Sequence, residues 1–90
     1  MIEVTIYSRP ECHLCAEMKA VVHHVAATLP LVVREIDIST DADLDRQYGV
    51  EIPVLFVNGR KAAKYRITAA ELTRIVNART GADSSISPSR

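Results

Sequence analysis

Apolar residues change their spacing sharply at residues 8–10 of this chain. Over residues 2–7 they occupy every second position, which is typical of a β-strand. Over about residues 12–28 they recur at the spacing of a helix, which Pro30 ends. Residues 31–38 are again apolar and β-branched, which indicates a second strand. A strand, a helix and a strand in this order predict parallel strands joined by a right-handed crossover.

Two further helices are predicted from their end signals. Ser39 or Asp41 can cap a short polar helix near residues 43–48, and the glycine that follows should end it. Thr68 and Glu71 have the spacing of a capping box, so the last helix should begin there and continue to Gly81.

A β-hairpin is predicted between these helices. Residues 53–57 are almost wholly apolar, as a central strand covered on both faces should be. Asn58-Gly59 favours a tight turn, so a strand at about residues 60–65 should fold back antiparallel. The predicted order is β-α-β-α-β-β-α, an α/β fold with a four-stranded mixed sheet flanked by helices. We expect one domain over residues 1–80 and a flexible tail over residues 81–90.

Composition excludes several classes of protein. The chain has 90 residues, 48% of them apolar, which suits one small globular domain. Its formal charge is zero, which argues against a strongly basic nucleic-acid binder. No apolar run approaches the roughly 18 residues of a membrane span, and the first residues, with acidic Glu3, do not have the pattern of a secretory signal. We therefore expect a cytoplasmic monomer that binds neither nucleic acid nor a membrane.

The zero net charge conceals an uneven distribution. Residues 1–51 hold four basic and nine acidic side chains, whereas residues 52–90 hold seven basic and two acidic ones. Four of the basic residues fall within residues 60–66. This run is either a solvated hairpin or a docking edge for an acidic partner or a carboxylate-bearing substrate.

The two cysteines lie close together, in the sequence Cys12-His13-Leu14-Cys15. This spacing suits a redox pair or half of a metal site. The chain has no second cysteine pair, and His23 and His24 are adjacent on a helix, so they point about 100° apart. No standard zinc spacing results, so we expect no metal site and favour redox chemistry.

The position of this pair assigns a different task to each sulfur. The first amides of a helix are unpaired and, with the helix dipole, stabilise an anion. A thiolate at Cys12 would lie in that field, so its pKa should be lowered. Arg9 and a protonated His13 would lower it further, while Glu11 would oppose them. Cys12 should therefore attack a disulfide, and Cys15, one turn deeper, should resolve the mixed disulfide.

Three segments resemble glutaredoxin-like proteins of the thioredoxin superfamily. Residues 7–15 are similar to the active-site segment of that family, residues 48–55 to the stretch leading into its cis-proline, and Asn58-Gly59 to its hairpin. The order of elements also suggests a thioredoxin fold. The resemblance implies that the peptide bond between Ile52 and Pro53 is cis and faces the cysteines, where the Ile52 backbone can bind a substrate peptide or glutathione as an added strand.

The resemblance also implies roles for flanking side chains. Arg9 either reaches a carboxylate of glutathione or is an exposed loop charge. Tyr7 either packs beside the sulfurs or is an ordinary core tyrosine, and His13 and Arg66 are possible modulators of the site. Where glutathione-binding relatives have Gly-Gly, this chain has Ala63-Lys64-Tyr65-Arg66, which argues against tight glutathione binding.

The function predicted from the sequence is thiol–disulfide oxidoreductase activity through Cys12 and Cys15. Its substrates would be disulfide-bearing proteins or glutathione mixed disulfides, with a reductase or glutathione as the electron source. We expect no tightly bound cofactor, with glutathione as a possible co-substrate. Two alternatives are a metal or iron–sulfur cluster carrier and a non-catalytic thioredoxin-fold binding module.

Overall fold

A computed structural model describes residues 2–81 and contains, within them, one four-stranded mixed sheet. The strands are β1 (Ile2–Ser8), β2 (Leu31–Asp37), β3 (Val54–Val57) and β4 (Arg60–Lys64). Their order across the sheet is β2-β1-β3-β4. β2 runs parallel to β1, whereas β3 is antiparallel to both β1 and β4. The α/β thioredoxin-like fold predicted from the sequence is thereby confirmed.

Three helices accompany the sheet within residues 2–81, and their caps explain where they begin. They are α1 (His13–Ala26), α2 (Ala42–Tyr48) and α3 (Ala69–Gly81), with a 3₁₀ turn at Ile38–Thr40 before α2. Asp41, rather than Ser39, caps α2, because its side chain accepts hydrogen bonds from the Asp43 and Leu44 amides.

The predicted capping box at the start of α3 is present. The Thr68 hydroxyl accepts from the Glu71 amide at 3.0 Å, and the Glu71 carboxylate accepts from the Thr68 amide at 3.1 Å. The helix continues through Gly81, the residue expected to end it. The remainder of the predicted tail, from residue 82 onward, lies outside the described residues.

The hydrophobic core lies between one face of the sheet and helices α1 and α3. Alternate residues of β1 point into it because successive side chains of a strand face opposite sides. The fully or nearly buried members are Ile2, Val4, Ile6, Met18, Val22, Val25, Leu55, Val57, Ile67, Leu72 and Val76. Helix α2 covers the opposite face through Tyr48, whose ring stacks on Tyr7 at 4.7 Å and meets Phe56 edge-on.

No helix within residues 2–81 combines the length and the apolar character that crossing a membrane requires.

Candidate active site

Cys12 occupies the N-cap of α1. Its backbone is extended (φ −99°, ψ 113°), and its Sγ accepts a hydrogen bond from the Cys15 amide at 3.2 Å. The Cys12 carbonyl accepts the first helical bond, from the Ala16 amide at 3.1 Å. An acceptor atom at the N-cap pairs with one of the amides that a helix leaves without a partner. Negative charge is also stabilised at this end of the helix by the helix dipole. The sulfur of Cys12 therefore lies where an anion is favoured.

The two cysteines form a disulfide, with their Cα atoms 5.1 Å apart. This separation is within the normal range for a disulfide. Cys15 is only 1% exposed, whereas Cys12 is partly exposed. A thiol arriving from solvent can therefore reach the Cys12 sulfur more easily than the Cys15 sulfur.

The segment that contains Ile52 and Pro53 lies at the same end of the central strands as the cysteines. The peptide bond between these residues is cis, the isomer that the resemblance implies. Tyr7 pairs with Val54 across β1 and β3, so the end of β1 and the start of β3 are neighbours. We call residues 9–15, which follow β1, the cysteine loop, and residues 50–53, which precede β3, the proline segment.

Arg9 connects the cysteine loop to α2 through an ion pair with Asp45. Both side chains are partly exposed, so solvent screens the pair. Gly49 lies against the same contact: a Cβ added there would be 3.0 Å from Arg9 Nη2 and 2.4 Å from the Asp45 carbonyl oxygen. The φ of Gly49 is −55°, which is helical, so this residue does not form the left-handed cap that ends many helices. Glycine is instead required because Asp45 and Arg9 approach its Cα too closely for a Cβ.

His13 and Arg66 are brought together by Glu17, a residue that the sequence interpretation did not include. The Nε2 of His13 lies 2.8 Å from one carboxylate oxygen of Glu17, and Nη1 of Arg66 lies 3.7 Å from the other. The His13–Glu17 contact follows from their four-residue spacing on α1. The contact with Arg66 joins α1 to the residues after β4, and no local signal predicts it.

Tyr7 belongs to an aromatic cluster on the α2 side of the sheet. Its ring contacts Tyr48 at 4.7 Å and Phe56 at 5.4 Å between centroids. The alternation of β1 places Tyr7 on the face opposite to the main core. These contacts favour the interpretation of Tyr7 as a packing residue.

Lys61 in β4 and Tyr65 directly after β4 attach to the proline segment. Lys61 donates to the Glu51 carboxylate at 2.6 Å, and this hydrogen bond lowers the pKa of Glu51. The Tyr65 amide donates to the Pro53 carbonyl at 2.8 Å. Sequence reasoning noted Tyr65 only as a departure from Gly-Gly and did not predict this attachment.

No cluster of three or more histidine, cysteine, aspartate or glutamate side chains suited to a metal ion occurs within residues 2–81.

Comparisons with known proteins agree with this geometry. A family model described as Glutaredoxin-like domain matches residues 3–77. The crystal structure of protein XcR50 from X. campestris is 29% identical, with a TM-score of 0.71, and the alignment covers 83% of this chain and 96% of that one. Protein Ne2328 from Nitrosomonas europaea is 25% identical, with a TM-score of 0.70 and coverage of 82% and 89%.

A more distant similarity supports the fold alone. A mutant thioredoxin from Halobacterium salinarum NRC-1 is 21% identical, with a TM-score of 0.64 over 97% of this chain and 78% of its own. A comparison with curated proteins gave no match.

Proposed function

This chain belongs to the glutaredoxin-like domain family, and from that premise we propose that it is a thiol–disulfide oxidoreductase acting through Cys12 and Cys15. The observation that carries the proposal is the partly exposed Cys12 sulfur at the N-cap of α1, disulfide-bonded to a buried Cys15. A thioredoxin-like fold with a CxxC pair at this position indicates redox function. Thiol–disulfide exchange in particular requires one accessible thiolate and one resolving thiol.

The proposed reaction begins from the reduced dithiol. The Cys12 thiolate attacks one sulfur of a substrate disulfide, forms a mixed disulfide and expels the other substrate sulfur as a thiolate. Cys15 then loses its proton and attacks the Cys12 sulfur, which releases the second substrate thiolate and forms the Cys12–Cys15 disulfide. The substrate gains two electrons and the protein loses two, which an external dithiol, or two thiols, must return.

The helix start supports the first step. The Cys15 amide that donates to the Cys12 sulfur, together with the positive end of the helix dipole, would stabilise the attacking thiolate and favour Cys12 as leaving group. His13 adds positive charge when it is protonated, and Glu17 beside it reduces that effect.

The proline segment offers a place for the substrate backbone. Within residues 2–81, the Ile52 amide and carbonyl have no backbone hydrogen-bond partner. A substrate peptide can therefore pair with Ile52 as a short added strand, beside the sheet edge that leads to Cys12. Protein disulfides and glutathione mixed disulfides are the substrate classes of this proposal, and glutathione or a reductase is the electron source. We further propose that the protein acts in the cytoplasm as a monomer.

Turnover of a protein disulfide and of a glutathione mixed disulfide, by the wild-type protein and by Cys12→Ser, tests the proposal. The substitution removes the attacking sulfur, so turnover of both substrates should fall to the uncatalysed rate. Val32→Ser, which alters an exposed valine on β2, is the control and should react like wild type. Equal rates for wild type and Cys12→Ser would contradict the proposal.

A further inference from the structure

Tyr65 has an unusual backbone conformation for a large side chain. It lies directly after β4 with a φ of 70°, in the left-handed region that glycine favours. A tyrosine there costs free energy because its Cβ crowds the neighbouring peptide. A residue kept in such a conformation must be held by other contacts.

Those contacts fasten both ends of the proline segment. The Tyr65 amide donates to the Pro53 carbonyl at 2.8 Å, and the Tyr65 hydroxyl donates to the Val50 carbonyl at 3.2 Å. These two hydrogen bonds join Tyr65 to both Val50 and Pro53, which are three residues apart. Tyr65 is therefore a positioning residue for the proline segment.

The segment that Tyr65 fastens presents an apolar side chain to solvent. Val50 is 88% exposed, and Tyr65 itself is 41% exposed. Burial of the Val50 side chain contributes almost nothing to its placement, so hydrogen bonds of the backbone fix its position. Val50 and the Tyr65 ring thus form an exposed pair, which we call the apolar step.

The apolar step lies beside the helix that carries the cysteines. Tyr65 lines a groove together with Glu17, Met18 and Val21 of α1. The proline segment on its other side lies at the sheet edge where β1 ends and the cysteine loop begins. Glu17 also contacts His13, the residue after Cys12, so an extended polypeptide bound at Cys12 passes close to the step.

The charge around the step favours acidic partners. Residues 60–66 contain four basic side chains, of which Lys61 and Arg66 pair with Glu51 and Glu17. Within residues 2–81 no ion pair involves Arg60 or Lys64, so these two cations remain for an acidic partner. The Nζ of Lys64 lies 5.5 Å from the centroid of the Tyr65 ring, which places a cation directly at the step. Glutathione also carries carboxylates, but it has no apolar side chain to cover Val50 and Tyr65.

We infer that the apolar step selects extended polypeptide disulfides that carry an apolar side chain next to the reacting cysteine and acidic residues nearby, over glutathione disulfides. This inference rests on the proposed function, since it names the substrate class of the same site. An apolar side chain of the substrate covers Val50 and the Tyr65 ring, while its acidic neighbours meet Lys64 and Arg60.

The probes are two short acidic peptides, each with one cysteine and linked as a symmetric disulfide, that differ only in leucine or serine beside that cysteine. Oxidised glutathione is the third substrate. Wild type should show a kcat/KM about tenfold higher for the leucine peptide than for the serine peptide or glutathione, an effect typical of one apolar contact.

Three variants separate recognition from folding. Val50→Ser removes the exposed side chain, and Tyr65→Phe removes only the hydroxyl tether. Each should reduce the preference for the leucine peptide severalfold through KM, with kcat unchanged. Val32→Ser, an equally drastic change at an exposed valine on β2, should leave the preference as in wild type. Urea unfolding of Val50→Ser should match wild type because this side chain is exposed.

The inference would be overturned if wild type showed no preference for the leucine peptide over the serine peptide. It would also be overturned if this preference were the same, within twofold, in wild type, Val50→Ser and Tyr65→Phe. Wild type that turns over none of the three substrates would instead contradict the proposed function.

Discussion

The cysteine loop and the proline segment meet at one edge of the sheet, but they are held in different ways. The Cys12 sulfur is positioned by the Cys15 amide, three residues away. Val50 is positioned by the Tyr65 hydroxyl, fifteen residues away and directly after β4. Residues within one helical turn therefore fix the reactive group, whereas the surface beside it depends on contacts between distant parts of the chain.

This contrast separates chemistry from recognition. Changes within the cysteine loop should alter which step of the reaction occurs. Changes in the proline segment should alter substrate choice or stability while the order of sulfur attack stays the same. Each experiment below acts on one of the two regions or on the ion pair that joins the cysteine loop to α2.

The largest effect is expected for Cys15→Ser. Cys12 should still attack, but without a resolving thiol the protein should stall as a mixed disulfide, and turnover of protein disulfides should fall by two orders of magnitude or more, roughly the range for loss of a nucleophile. Non-reducing electrophoresis and mass spectrometry after one turnover would detect the trapped species.

External glutathione can replace Cys15 for glutathione disulfides, but this chain has Ala63 and Lys64 at the positions that are Gly-Gly in the glutathione-binding proteins it resembles, so we expect this monothiol route to be weak. Rapid monothiol turnover would mean that Arg9 and the basic run rebuild a glutathione site.

A smaller effect is expected for Gly49→Ala, beside the ion pair of Arg9 and Asp45 that joins the cysteine loop to α2. The new Cβ would lie 2.4 Å from the Asp45 carbonyl and 3.0 Å from Arg9, so the backbone must shift, at a cost of about 1–3 kcal/mol. Urea unfolding measures this loss, and activity should fall with it because Arg9 belongs to the cysteine loop.

Gly59→Ala is the matched control for Gly49→Ala. Gly59 has a φ of 81° and open space around it, so alanine there should cost about 1–2 kcal/mol through backbone conformation alone, with activity unchanged. Equal activity losses in both variants would show that the contact at Gly49 does not couple α2 to the cysteine loop.

Local signals predicted much of the fold, and the reason is visible in the caps. Asp41, Thr68 and Glu71 bond to amides two or three residues away, so a short stretch of sequence contains both partners. The same holds for Cys12 at the start of α1. The cis peptide before Pro53 followed only from the family resemblance.

Apart from the contact between His13 and Glu17, the site contacts that sequence reasoning missed join distant residues. Arg9 pairs with Asp45 across thirty-six residues, and Tyr65 reaches Val50 and Pro53 across the hairpin. Glu17 and Arg66 meet between α1 and the end of β4. Hydrophobic periodicity determines which face of an element is buried, but it does not determine which polar side chains meet at an edge of the sheet.

The smallest effect is expected for Glu51→Gln, which weakens one attachment of the proline segment. The Lys61 hydrogen bond lowers the pKa of Glu51 from its usual value of 4.5, so ionised Glu51 contributes stability above that value. This contribution disappears as the pH falls through the lowered pKa. Wild type should therefore be slightly more stable than Glu51→Gln at pH 7, and the difference should vanish in strong acid.

Urea unfolding between pH 7 and pH 2 would measure this difference, with Glu11→Gln as the control. Within residues 2–81 no ion pair involves Glu11. A difference between wild type and Glu51→Gln that grows as the pH falls would contradict the attachment through Lys61.

The most direct test of the assignment of roles to the two sulfurs is mass spectrometry of the reduced single-cysteine proteins after exposure to oxidised glutathione at neutral pH. Cys12 lies at the N-cap and is partly exposed, whereas Cys15 is buried, so the adduct on Cys12 in Cys15→Ser should form much faster than the adduct on Cys15 in Cys12→Ser. An adduct on Cys15 that forms at least as fast as the one on Cys12 would contradict the account.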